Sequence, residues 1–216
     1  MGIDIDKAIN ALQNKRKVFC SEADFQLELA WILKEQNPNF QVRLEYVPIF
    51  DKKVDADKSM HIDIVLMNSN EFIPIELKYK TKKCSVDFDN EHYCLTNQGA
   101  QDLGRYFYLK DIERIEKIRK KSTNFQEGYA IFITNDDKYC KPRKTQKPPV
   151  DSQFDLTETK SGKMDWNSDV GDWADKYPFI TFESTYEMNW NEYSNSLIKD
   201  KNANIFYILT TKIEKL

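Results

Sequence analysis

Hydrophobic and polar positions follow two different periods along this chain. From Ser21 to Asn37 the period is helical: at about 100° per residue, Phe25, Leu29, Ile32 and Leu33 share one arc, and Asp24, Glu28 and Glu35 gather opposite. Ser21 suits an N-cap, Asp24 stands three residues on where a capping-box acid belongs, and Asn37-Pro38 ends the helix. Glu22 and Gln26 interrupt the apolar arc, so the carboxylate serves either the helix dipole or a site.

The period then shortens to two. Residues 40–50 alternate with Val42, Leu44 and Tyr46 on one face, residues 60–67 set Ile62, Ile64 and Leu66 against His61, Asp63 and Val65, and residues 72–79 set Ile73, Ile75 and Leu77 against Glu76 and Lys78. Asn68-Ser69-Asn70 is a turn that makes the last two a hairpin, while Pro74 implies that ladder pairing starts late or lies on an edge there. Residues 97–121 return to helical spacing, with Gln98, Asp102 and Arg105 on the arc that Leu109 and Ile112 occupy further along. Residues 128–134 (GYAIFIT) are apolar almost throughout, as in a strand buried on both faces. Residues 135–178 carry few aliphatic positions and predict loops, and strands near 179–183 and 204–211 flank Trp190–Ser194. The expectation is a mixed α/β domain over 1–134, with a loop-rich, β-containing extension over 135–216 packed on it.

Composition narrows the class. The 216 residues are 40% hydrophobic with 6 Gly and 7 Pro, and no apolar run approaches the roughly 20 residues that a bilayer demands. The N-terminal residues lack the basic and apolar regions of a secretory signal. Cys20, Cys84, Cys94 and Cys140 form no tight pair, which points to a reducing cytoplasm and, with His92, to no ready zinc motif. The net charge of −3 argues against indiscriminate coating of nucleic acid. Its distribution is uneven: residues 78–83, 110–121 and 138–147 are basic, whereas 151–175 is acidic. Walker A, G-x-G-x-x-G and G-x-S-x-G patterns are missing. Trp166, Trp173, Tyr186 and Trp190 suit either a small core or base stacking, and Arg43 and Glu45 share a strand face as a structural ion pair would.

The chemistry concentrates on the hairpin. A side-chain period of two turns Glu76 and Lys78 to one face, and pairing of the strands brings Asp63 to the same place. Two carboxylates on adjacent strands suit a hard divalent cation with oxygen ligands, and a neighbouring ammonium suits a hydrolytic water and developing negative charge.

The arrangement His61-Ile62-Asp63, twelve residues, then Glu76-Leu77-Lys78, with Glu22 on the helix before and Gln98 near the helix after, resembles the PD-(D/E)XK nuclease superfamily. The resemblance implies a restriction-endonuclease-like αβββαβ core from about 21 to 134 and a hydrolase that cleaves phosphodiester bonds with Mg²⁺, Mn²⁺ substituting. It implies Asp63 and Glu76 as metal ligands, the Leu77 carbonyl as a further one, Lys78 as the group that positions water, and Glu22 as an assisting acid. Gln98, with Asp102 and Tyr106 one and two turns on, is similar to the Gln-bearing helix of some members. Together with Arg105, Lys80 and Lys82 these residues are the expected substrate contacts, the substrate being nucleic acid, DNA favoured. Ile62 stands where the motif name has Pro, and the acidic balance is unusual for an enzyme that grips a duplex. A catalytically silent binder of nucleic acid or protein is the alternative, and the oligomeric state stays open, a homodimer included.

Overall fold

The structure, a computed structural model, describes residues 2–48, 61–167, 173–194 and 205–216. Phe50, Met60, Asn204, the Trp173 side chain and part of the acidic stretch fall outside these residues. In chain order the elements are α1 (Ile5–Lys15), α2 (Glu22–Gln36), β1 (Gln41–Tyr46), β2 (Ile62–Met67), β3 (Phe72–Lys80), β4 (Cys84–Phe88), β5 (Glu91–Leu95), α3 (Gln101–Lys121) and β6 (Glu127–Thr134). There follow a one-turn helix (Asp137–Cys140), β7 (Lys160–Met164), β8 (Ile180–Tyr186), β9 (Trp190–Ser194) and β10 (Phe206–Glu214).

Among the described residues a six-stranded sheet runs in the order β1-β2-β3-β6-β10-β9, with β3 and β6 parallel and the other neighbours antiparallel. The mixed sheet follows from the chain path: a hairpin joins β2 and β3, and the crossover through α3 returns the chain parallel to β3 as β6. Side chains alternate between two cores. Ile64, Leu66, Ile73, Ile75, Leu77, Tyr129 and Ile131 pack under α1, α2 and the β4–β5 hairpin, while Val65, Ala130, Phe132 and Leu209 pack under α3 and the β7–β8 pair. The residues after 134 are therefore structural partners of the sheet, since β10 lies inside it. Trp166 and Tyr186 are buried in the second core and Trp190 packs against it, so these aromatic side chains close a core.

Local rules explain most boundaries. Ser21 Oγ accepts from the Asp24 amide at 3.1 Å, and Asp24 reaches back to the Cys20 amide at 2.8 Å. Pro74 sits opposite Val65 in the antiparallel ladder, and the parallel ladder with β6 begins one residue later at Ile75, which places the missing N–H outside it. Gly128 lets α3 approach the sheet, because a Cβ there would lie 2.4 Å from Ile115 Cγ2.

Four expectations are corrected. Helix α1 precedes the expected first helix; its buried Ile5, Ala8, Ile9 and Leu12 make a short apolar stripe. Between the strand expected to end at 79 and the helix expected to begin at 97, where the sequence reading has no element, stands the β4–β5 hairpin, whose tip, Asp89-Asn90, adopts φ of 52° and 63° as a two-residue primed turn requires. Gln98 precedes α3, because its amide and side chain are bound to Thr81 and the helix starts only after Ala100 at φ 57°. Arg43 and Glu45 form no expected pair: Arg43 donates to Gln41 and the Val42 carbonyl, and Glu45 accepts from Gln26.

Candidate active site at the edge of the third strand

The β2–β3 ladder runs from Met67 opposite Phe72 to Ile64 opposite Ile75. Past that point Asp63 turns its carboxylate to the free edge of β3, while Glu76 and Lys78 face α3. Beyond that point the β3 amides are taken by side chains instead of a strand. Asp63 Oδ2 accepts from the Leu77 amide at 2.6 Å, Glu22 Oε2 from Tyr79 at 2.7 Å, and Gln98 Oε1 from Thr81 at 3.2 Å. Three residues nominated from sequence thus converge on alternate amides along one edge. Gln26 steadies the arrangement by donating to the Asp63 carbonyl at 2.6 Å and to Glu45 Oε1 at 2.8 Å.

Helix α3 supplies two residues that sequence reading missed. Asp111 Oδ2 lies 2.8 Å from Lys78 Nζ, and Arg114 bridges Glu76 Oε1 at 2.9 Å, Asp111 Oδ1 at 2.6 Å and the His61 carbonyl at 3.0 Å. Lys78 also donates to the Leu77 carbonyl at 3.0 Å, the oxygen expected to face a metal. The signal for Asp111 and Arg114 was weak: an acid and a base three residues apart in a run of α3 that also carries Lys110, Glu113 and Glu116. It is hidden because α3 is covered by β7–β8 on the side away from the sheet, so buried positions run almost all round it.

Electrostatics set this cluster apart. Burial pushes the Asp63 carboxyl up to about 6; the Leu77 amide and Lys78 favour its charged form, and Asp111 and Glu22 oppose it. Burial and then Asp111 push Glu76 well above the carboxylate range, against the pull of Arg114. Burial alone would lower the Lys78 ammonium, but Asp111, Glu22 and Asp63 outweigh it and hold its pKa above the usual lysine value. Glu22, Asp63, Glu76 and Asp111 therefore face two cations, Lys78 and Arg114, an excess of two negative charges if all ionise.

These oxygens fit a hard cation in type, as Mg²⁺ typically takes one or two carboxylates and keeps several waters. Among the described residues, however, no three His, Cys, Asp or Glu side chains form a group able to hold a metal ion. Beside the edge opens a cavity of about 300 Å³ lined by Cys20, Glu22, Tyr79, Lys80, Cys94 and Gln98, among others.

Other nominated residues lie apart from the cluster. Arg105 is buried at 5% exposure, with Nε and a terminal nitrogen on Asp151 at 2.8 and 2.6 Å, so its guanidinium is committed within the fold. Asp102 Oδ1 caps the Leu103 amide. Lys82 is placed by its backbone bonds to Asn135, which leave its half-exposed side chain at the surface. In the basic segment 110–121, Lys110 and Lys117 pair with Glu113 and Lys120 with Glu183, so much of that charge is balanced inside the chain. Comparison with family models, with curated proteins and with solved structures returns no match to this chain. No helix among the described residues is long and apolar enough to cross a membrane.

Proposed function

We propose that the chain is a Mg²⁺-dependent nuclease of the PD-(D/E)XK type, hydrolysing phosphodiester bonds of nucleic acid, with DNA the favoured substrate and Mn²⁺ able to replace Mg²⁺. The observation that carries this reading is the buried surplus of carboxyl groups around Lys78, where burial first, and then the neighbouring carboxylates, push Asp63 and Glu76 up despite Lys78 and Arg114. A divalent ion would relieve that surplus, polarise the phosphoryl group and lower the pKa of a bound water. Asp63 and Glu76 would hold it, with the Leu77 carbonyl adjacent, while Glu22 keeps the β3 edge in place. Lys78, already oriented by Asp111, would direct its ammonium to the hydrolytic water and the developing charge.

A specific observation favours the rival, a silent nuclease-fold binder. Arg114 already occupies Glu76 Oε1 with a permanent positive charge. The two readings part in one assay. On single- and double-stranded DNA and RNA with Mg²⁺ or Mn²⁺, the nuclease reading expects cleavage that falls about 10²-fold or more in each of Asp63→Ala, Glu76→Ala and Lys78→Ala. Cleavage that persists unchanged in all three would sink it, and binding without cleavage in either metal would favour the rival.

A further inference from the structure

The outward face of the β4–β5 hairpin holds a cluster that this site does not use. Strand register sets Ser85 opposite Cys94 and Asp87 opposite His92. Alternation turns Val86, Tyr93 and Leu95 into the core, which leaves those four polar side chains together on the outer face. His92 Nδ1 lies 2.6 Å from Asp87 Oδ1. Its Nε2 lies 3.1 Å from Cys94 Sγ and 3.2 Å from Ser85 Oγ, and the two donors are 3.9 Å apart. A carboxylate can only accept from a neutral imidazole, so the network assigns the proton to Nδ1 and presents the Nε2 lone pair to the thiol and the hydroxyl.

We propose that Cys94 is a nucleophilic thiol open to small, soft electrophiles, with His92 as its general base, Asp87 orienting the imidazole and Ser85 competing for the same nitrogen. Nucleophile, base and orienting carboxylate stand in the order that activates a thiol, and sulfur is the better nucleophile of the two donors. Their side chains are on open surface, His92 at 58% and Asp87 at 84% exposure, so the fitting co-reactant is small and intrinsically reactive and needs no deep binding pocket. With an alkyl halide the S–C bond forms, the carbon–halogen bond breaks, halide leaves with the electron pair, and the thiol proton passes to Nε2. With a hydroperoxide the S–O bond forms and the O–O bond breaks. Sulfur is oxidised to the sulfenic acid, the peroxide is reduced, and the proton leaves on the departing oxygen as water or alcohol. Cys94 lines the 300 Å³ cavity that Glu22 and Gln98 also line, so either product would add bulk there.

The other three cysteines serve as internal standards. Cys20 is also exposed, and burial and Asp24 push its thiol pKa up. Cys84 and Cys140 are half-buried, and burial pushes Cys140 up to about 12. The whole protein is treated at pH 7 with limiting iodoacetamide, and in parallel with hydrogen peroxide plus a sulfenic-acid trap, and each cysteine peptide is quantified by mass spectrometry. Cys94 is expected to react about tenfold faster than Cys20 in both arms. His92→Gln should bring it close to the Cys20 rate, Asp87→Asn should lower it less, and Ser85→Ala should raise it by about twofold as Nε2 ceases to be shared. The rise in Ser85→Ala separates this role from mere support of the hairpin and stands even if His92→Gln disturbs the turn. Asp63→Ala should leave the rate unchanged, which keeps this test independent of the phosphodiester chemistry. Cys94 reacting no faster than Cys20 overturns the proposal, as does a Ser85→Ala rate at or below wild type.

Discussion

Among the described residues, carboxylates from one element take the strand amides of another along β3 and along β8. At β8, Glu113 Oε1 accepts from the Thr181 amide at 3.1 Å, and Glu116 accepts from the amides of Glu183 and Ser184 and from the Tyr186 hydroxyl at 2.8 Å. Cations stand close by: Lys110 and Lys117 each lie 2.7 Å from Glu113, and Arg119 lies 3.6 Å from Glu116. Burial raises Glu113, but those lysines outweigh it and its pKa falls below the usual value. Along β3 the same device leaves Asp63 and Glu76 titrating high. Edge satisfaction alone therefore says nothing about function. What separates the two is burial together with charge balance: at β8 the neighbouring lysines outweigh burial, and at β3 the cations do not.

The largest effect expected from this comparison is at Glu116. Glu116→Ala would leave two amides and a buried hydroxyl without their acceptor and would remove one of the two carboxylates beside the buried Arg119, at a cost of about 3–5 kcal/mol. Urea unfolding measures it, and a loss under about 1 kcal/mol would mean that the β8 edge is held by packing alone.

A smaller and opposite effect is expected at Asp63. Its folded pKa of about 6 lies above the 3.8 of a free aspartate, so the protonated form is the one folding favours. The stabilising contribution is full below about pH 4 and is lost as pH rises through 6, about 3 kcal/mol in all. Asp63→Asn keeps an acceptor for the Leu77 amide without the charge, so it should stabilise the protein at pH 8 and flatten the curve between 4 and 6. Mg²⁺ should raise the wild-type Tm at pH 8 but less at pH 5, where protons compete, and should do little to Asp63→Asn. Equal Mg²⁺ shifts in both proteins would break the contrast between the two edges.

Smallest is Glu113, with the reverse sign. Its lowered folded pKa contributes stability that is present above the unfolded value and lost as pH falls through the folded one. Glu113→Gln should lower stability at pH 7 and reduce its acid sensitivity below about pH 4.5. Denaturant titrations at pH 7 and pH 3 check it, and equal losses at both would show that the charge is immaterial.

Much of this was legible before the coordinates. The two-residue period placed Glu76 and Lys78 on one face of β3 with Asp63 on the neighbouring strand, and the Ser21 cap placed Glu22 at the start of its helix. Those are local rules of backbone geometry. Asp111 and Arg114 escaped because they act across the layers, and what buries α3 on its other side is the cover of β7–β8, of which β7 carries no periodic pattern. The β4–β5 hairpin escaped for a different reason: its outer positions, Ser85, Asp87, His92 and Cys94, are polar and resemble a loop in composition, although Asp89-Asn90 marked the turn. Arg105 was misplaced because its partner, Asp151, lies 46 residues away.

The position of β10 bears on how the protein comes into being. Eight residue pairs join it to β6, from Tyr207 with Thr134 to Glu214 with Glu127. A nascent chain that has emerged only to residue 134 carries the whole proposed catalytic motif, yet β6 still presents a bare ladder edge to its surroundings. Long-range pairing of this kind slows folding and prolongs exposure to aggregation during synthesis. The sheet that holds Glu76 and Lys78 is completed only when β10 has been made and has paired with β6, so the support of that site depends on residues far along the chain from it.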